Sequence, residues 1–326
     1  MDPRDFAVYR FLSPQGEARF WGGRRVVDPT IPAREIAERV GLSENGVRAR
    51  LAGLAARGFL RGTAVTPNPS LFGVRLFVAE LPVRTAAEAE RLYRDLALVD
   101  GVVFARDTLD ETDRQLRVYF VAESDSTTAR RVALLRRLAP EEQLRGPQPY
   151  WIPVCERELS PLDWRLLRAF CLHPDGTIAE IARETHLSPK TAARRYHGLI
   201  DARACWWTHG EDSEEFPLAL VRVEVVDSAH RSAVAREVLK ETTAWMPVAG
   251  DGLGIEPGAA ATVVAGLVPA DAPVALERWV KRVAALPGVA SVRRTFALGS
   301  RTYPTWFADR VAAHVPQRPG SLARPP

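Results

Sequence analysis

The side chains most able to do chemistry in this sequence are its guanidinium groups. Of 44 basic residues, only Lys190, Lys240 and Lys281 are lysine; the rest are arginine. A guanidinium offers a planar fork of donors suited to a phosphate or a guanine edge. A GC-rich genome would produce the same bias. The formal net charge is only +4, so distribution matters more than total. The six histidines, His173, His186, His197, His209, His230 and His314, form no group with the spacing of a metal site. Cys155, Cys171 and Cys205 are odd in number and widely spaced, which fits neither a disulfide framework nor a C-x-x-C knuckle. No Ser-His-Asp arrangement, phosphate loop or zinc-protease motif is present. These residues predict no catalytic group, no metal and no cofactor, and hence no enzyme. Asp2, Arg4, Asp5 and Arg10 interrupt the one apolar run at the start that could resemble a secretory signal, and no stretch is long and apolar enough to cross a bilayer. A cytoplasmic protein without a membrane partner is expected.

The elements that position these residues are legible through a repeat. Residues 32–43 and 177–188 align at an offset of 145, matching Glu35 with Glu180, Ile36 with Ile181, Ala37 with Ala182 and Leu42 with Leu187; Arg50 falls on Arg195. So long a period implies duplication of a domain-sized unit. Each copy opens with an amphipathic helix, over 4–12 and 162–172. A second helix follows over 32–40 and 178–185, then a tight turn, then a third helix over 44–57 and 189–202. Ser43 and Ser188 sit where a side chain caps the third helix. Val47, Leu51 and Leu54, and their counterparts Ala192, Tyr196 and Leu199, keep a helical period and face a core. Two helices joined by a three- or four-residue turn form a helix-turn-helix. The first copy carries an insert at 17–30, in which Phe20, Trp21, Arg24 and Arg25 can either meet a DNA backbone or pack on the domain.

After each third helix an apolar run, 58–61 and 204–207, reads as a wing strand. A β-α-β-β-α-β pattern then appears twice, its last strand near 150–155 in copy one and 289–298 in copy two. The fold class is therefore α+β: two winged helix-turn-helix domains (1–68 and 158–210) alternating with two ferredoxin-like domains (69–157 and 211–309). A flexible proline-rich tail is expected over 310–326.

The Leu-Ser-x-x-x-Val-Arg-x-Arg-Leu-x-x-Leu pattern of 42–54, with 58–61 and the Asn68–Gly73 link, resembles the Lrp/AsnC family of transcriptional regulators, in tandem-duplicated form. The resemblance implies that the third helices enter double-stranded DNA. The DNA-facing set would be Ser43, Glu44, Asn45, Arg48 and Arg50 in copy one, and Ser188, Lys190, Thr191, Arg194 and Arg195 in copy two. Arg24 and Arg25 would add contacts. The resemblance also implies a small-molecule effector site in the second sensor unit at Gly250, Asp251, Gly252 and Gly254, although the surrounding sequence departs from the family pattern and an amino-acid effector is not implied by it. The two copies would pair as an internal pseudo-dimer, with a homo-oligomer as a further arrangement.

The same duplicated order also resembles the siroheme decarboxylases, including their fused forms. That resemblance implies basic groups for tetrapyrrole carboxylates and histidines in the sensor units, of which only His230 falls inside one. A third reading is an interaction or sensor protein that binds no DNA. The expectation taken forward is a sequence-specific DNA-binding regulator.

Overall fold

The computed structural model describes residues 4–5, 8, 33–56, 61–110, 113–138, 144–150, 152, 154–155, 157–174, 176–210, 218–239, 244–246, 263–269 and 273–315. The insert at 17–30, the glycine cluster at 250–254 and residues 316–326 lie outside them.

The architecture is mixed α+β with winged-helix elements. In the first copy, α1 (Ala33–Val40) and α2 (Glu44–Ala56) close on Val8, with Ile36, Val47 and Leu54 buried. In the second, α5 (Pro161–Leu172), α6 (Ile178–Thr185) and α7 (Pro189–Asp201) form the equivalent unit. Its starts are strongly signalled. Ser160 with Asp163 and Thr177 with Glu180 each make a capping box, in which side chain and backbone satisfy each other's free donors.

The wing strands β1 (Arg61–Pro67) and β6 (Cys205–Gly210) form one antiparallel ribbon, so each copy's wing pairs with the other copy's. Asn68, fully buried, fastens the ribbon. Its amide N–H donates to the Ala204 carbonyl (2.8 Å) and its side-chain amide to the Arg203 carbonyl (2.7 Å).

The rest of the chain builds one eight-stranded sheet. Copy one supplies β2 (Arg75–Pro82), α3 (Ala86–Leu96), β3 (Val102–Leu109), β4 (Arg114–Ala122), α4 (Asp125–Leu138) and β5 (Arg145–Tyr150). Copy two supplies β7 (Leu218–Val225), α8 (Ser228–Leu239), β8 (Ala244–Met246), β9 (Val263–Pro269), α9 (Pro273–Ala284) and β10 (Val289–Thr302). The strand order is β5-β2-β4-β3-β10-β7-β9-β8, so the same four-strand order occurs twice, end to end. The halves join because β10 is long. Its first part pairs with β7, and 296–302 pair antiparallel with 104–109 of β3. Side chains fasten the joint: Tyr303 Oη donates to the Tyr93 carbonyl (2.8 Å), and Arg301 lies over the Tyr93 ring and pairs with Glu90 (3.2 Å). All four helices of this region pack on one sheet face, over Leu81, Val118 and Phe120 in the first half and Val221 and Val223 in the second.

Two differences from the sequence reading have clear causes. The last strand of copy one lies at 145–150, not 150–155. The apolar side chains of Tyr150, Ile152 and Cys155 that suggested the later position pack against the second winged-helix core instead. The sheet edge is left to a segment whose Pro147 and Pro149 suit an edge strand. Residues 310–315 are not the start of a loose tail. They complete α10 (Thr305–His314) and its C-cap, and Val311 is buried in the second winged-helix core while Trp306 and Phe307 cover part of the sheet face opposite α3, α4, α8 and α9, at Val74, Val103 and Val121.

A buried arginine supports the turn before β3. The Arg131 guanidinium donates to the Asp100 carbonyl (2.8 Å), the Asp100 carboxylate (2.8 Å) and the Val121 carbonyl. It packs so closely on Gly101 that a Cβ there would lie 2.4 Å from Cζ, and Gly101 has φ of +83°. Gly101→Ala is expected to cost about 2–4 kcal/mol, combining left-handed strain with disturbed charged hydrogen bonds. A urea titration reads this directly; a loss below 1 kcal/mol would mean the arginine moves aside freely.

Candidate functional site

The third helices come first, because the sequence points to them. Ser43 and Ser188 cap them, accepting from the Gly46 and Thr191 amides at 3.1 and 3.2 Å. Asn45, Lys190 and Arg194 are exposed, and Thr191 is half-buried with its hydroxyl 2.9 Å from that of Ser188. Arg48 is exposed but paired with Glu44 one turn back on the same helix. Arg50 and Arg195 are different. Arg50 reaches back to Asp5 at 2.6 Å, and Arg195 to Asp163 at 2.9 Å and Ser160 Oγ at 3.2 Å. Both aspartates are buried. The repeat-matched arginines therefore brace the third helix against the first helix within each unit. The sequence held this signal, since Asp5 and Asp163 lie on the predicted first helices. Arg24, Arg25, Gly250, Asp251, Gly252 and Gly254 lie outside the described residues.

The sheet face opposite the helices carries a second cluster that sequence alone does not reveal. In an antiparallel sheet, residues directly opposite on neighbouring strands share a face, with Cα atoms about 4.5–5.5 Å apart. Arg106 on β3 stands opposite Arg117 on β4, and Arg222 on β7 stands opposite Arg293 on β10. Strand alternation, counted through the β10 irregularity at 297–299, puts both pairs on this same face. Like charges placed directly opposite are unfavourable. Each pair has one carboxylate beside it. Glu80 is 3.2 Å from Arg117, while Glu224 lies 3.8 Å from Arg222 and 3.9 Å from Arg293 and accepts from Ser291 Oγ at 3.0 Å.

Between the pairs lie Thr108, Thr295 and Ala297, with Gln115 opposite Thr108 and Leu220 opposite Thr295. The pairs are separated by roughly 20 Å along β10, at about 3.3 Å per residue. Beside the first pair runs a row of aromatic rings. Phe104 and Tyr119 have centroids 5.4 Å apart, Tyr119 and Tyr150 5.0 Å, and Arg106 lies over Phe104. Guanidiniums at both ends of this face suit a broad ligand with acid groups on opposite edges. Among the described residues, no group of His, Cys, Asp and Glu is arranged to hold a metal ion. Nor is any described helix long and apolar enough to cross a membrane.

A family model described as winged helix-turn-helix DNA-binding matches residues 26–61. No curated protein matches the chain. Among solved structures, the siroheme decarboxylase NirDL is 10% identical, covering 96% of this chain and 98% of that one, with a TM-score of 0.47. NirDL in co-complex with an iron-uroporphyrin III analogue is 12% identical over 95% of this chain and 99% of that one, with a TM-score of 0.45. An AsnC family transcriptional regulator from Agrobacterium tumefaciens is 18% identical, covering 46% of this chain and 88% of its own, with a TM-score of 0.30. Identities this low concern the fold alone.

Two expectations are corrected. The chain is not assigned to transcription regulation through DNA binding, and the exclusion of enzymatic activity is withdrawn. The matches spanning the whole chain are to an enzyme, whereas this regulator spans about half of it. Arg50 and Arg195 are committed to internal ion pairs.

Proposed function

We propose that the chain is an enzyme acting on a polycarboxylated tetrapyrrole, a siroheme-decarboxylase-like activity, with the substrate held on the face of the eight-stranded sheet opposite α3, α4, α8 and α9. The observation that carries this reading is the two in-register arginine pairs, Arg106 with Arg117 and Arg222 with Arg293. Each pair sets two guanidiniums directly opposite one another, and a carboxylate bound between them would relieve that like-charge contact.

Loss of CO2 from a substrate side chain breaks a carbon–carbon bond and leaves a carbon that must take up a proton. The described acids on this face are Glu80 and Glu224. Each is held beside an arginine, where it can orient a water or relay a proton. The repeated strand order supports reading the two halves of the sheet as ferredoxin-like units, spanning 69–157 and 211–309, paired as an internal pseudo-dimer. The winged-helix units, 1–68 and 158–210, then act as clamps that set the geometry of the pair through the β1–β6 ribbon.

The test is a titration with iron-uroporphyrin III followed by absorbance, then incubation with siroheme and mass analysis of the products for stepwise loss of CO2. Saturable binding with decarboxylated product supports the reading. Saturable binding without product would reduce the chain to a tetrapyrrole carrier, and no binding would end the proposal.

A further inference from the structure

The two arginine pairs are not equivalent. They lie on opposite sides of the joint between β3 and β10, the first on β3 and β4, the second on β10 and β7. At the first end the Arg117 side chain is 27% exposed, and its buried Nε stands 3.2 Å from Glu80. Arg106 opposite it is half-buried, its guanidinium 5.4 Å from the centroid of the Phe104 ring. At the second end the Arg222 and Arg293 side chains are 46% and 74% exposed, and Glu224 lies 3.8 and 3.9 Å from them. One end thus holds guanidiniums already shielded from much of the solvent and fixed by their neighbours. The other holds guanidiniums that remain hydrated and loosely paired.

Building on the tetrapyrrole reading above, we infer that the two ends have different roles in recognition. The Arg106–Arg117 end anchors one acidic edge of the ligand, and the Arg222–Arg293 end selects ligands that carry carboxylates on the opposite edge as well. A charged contact gains strength as water is excluded. A guanidinium fixed before binding also gives up less freedom when it binds. Arg106 and Arg117 meet both conditions, and their desolvation is borne by folding before the ligand arrives. Arg222 and Arg293 are screened by water and salt, so each contact there is weaker. What the second end adds is reach. It lies roughly 20 Å from the first along β10, too far for acid groups confined to one edge of a macrocycle to meet both. The favoured substrate class is therefore a porphyrin with carboxylates on opposite edges. Decarboxylation at the second end removes that contact and so favours release of the product.

The test is absorbance titration of the full chain with two probes. Iron-uroporphyrin III has carboxylates all round its rim, whereas those of iron-deuteroporphyrin IX share one edge. The unaltered protein should bind the first roughly 10²-fold more tightly, as expected when the charged hydrogen bonds of the second end lie at the weak end of their range. Arg222→Gln with Arg293→Gln should abolish this preference and leave deuteroporphyrin binding unchanged. Arg106→Gln with Arg117→Gln should weaken both probes, iron-uroporphyrin III by roughly 10⁴-fold. Rising salt should reduce the preference of the unaltered protein, because the exposed end is the more screened. The probe comparison and its salt dependence require no variant, so a poorly folded double variant does not remove the test. Equal affinity for the two probes, equal losses in the two double variants, or a preference that survives Arg222→Gln with Arg293→Gln would overturn the inference while leaving a tetrapyrrole site in place. Failure of the unaltered protein to bind iron-uroporphyrin III would instead end the tetrapyrrole reading, and the inference with it.

Discussion

Changing Arg117 and Arg222 together to glutamine should lower affinity for iron-uroporphyrin III by roughly 10²- to 10⁴-fold, because each removes a charged hydrogen bond worth about 1.5–3 kcal/mol. The same change should leave the stability of the empty protein within about 1 kcal/mol of the original. Each arginine loses a partly exposed ion pair, to Glu80 at 3.2 Å or to Glu224 at 3.8 Å, and such pairs contribute little. Each also loses an arginine standing directly opposite, Arg106 or Arg293, which is a gain. Binding and stability thus separate, and that separation distinguishes a ligand site from a structural ion cluster. Absorbance titration and a thermal melt on the same sample give both numbers. Undiminished binding would remove the arginine face from the site. A fall in binding matched by a large fall in melting temperature would mean that the arginines hold the sheet together. Binding should also weaken as salt rises, since two of the four arginines, Arg222 and Arg293, are substantially exposed.

The reasons this face was missed from sequence, while the helices were not, are physical. Helix starts are local. Ser160 followed by Pro161 and Asp163, and Thr177 followed by Glu180, announce a helix within four residues. The arginine pairs are non-local. Arg222 and Arg293 are opposite each other only because β7 and β10 adopt one particular register, and a slip of one residue would send one of them to the helix side. Pairing of the two wings with each other was equally illegible, since each wing strand reads the same whether its partner belongs to its own unit or to the other copy. The helix at 305–314 was overlooked because a proline-rich sequence follows it, and its apolar residues Trp306, Phe307 and Val311 serve two separate cores. The family resemblance places Arg50 and Arg195 against DNA, whereas in the structure each pairs with an aspartate on the first helix of its own unit, a long-range contact that their shared repeat position does not announce.

That duplicated brace carries the second large effect. Asp163 has 5% of its side chain exposed and is held by Arg195 at 2.9 Å, with Arg157 at 3.5 Å and the Ser160 hydroxyl at 2.7 Å. Arg195→Ala leaves that carboxylate buried with its main partner gone and is expected to cost about 3–5 kcal/mol. Arg194→Ala, one position away and exposed, should cost less than about 0.5 kcal/mol. A role in the interior thus predicts opposite outcomes for adjacent arginines, and chemical denaturation of the two variants is sufficient to check it. The pH dependence follows from the same site. Burial alone would raise the Asp163 pKa, but the hydrogen bonds from Ser160 and Arg195 outweigh it and hold the carboxyl below its ordinary value. A group depressed on folding contributes stability that is fully present above its unfolded pKa and is lost as pH falls through the lower, folded value. Acid titration of the wild-type protein should therefore show stability falling below about pH 4, the unfolded aspartate range. Asp163→Asn should flatten that part of the curve while lowering stability at neutral pH. An unchanged acid limb in Asp163→Asn would mean that the carboxyl is not ionised in the folded protein and that the brace is only a neutral hydrogen bond.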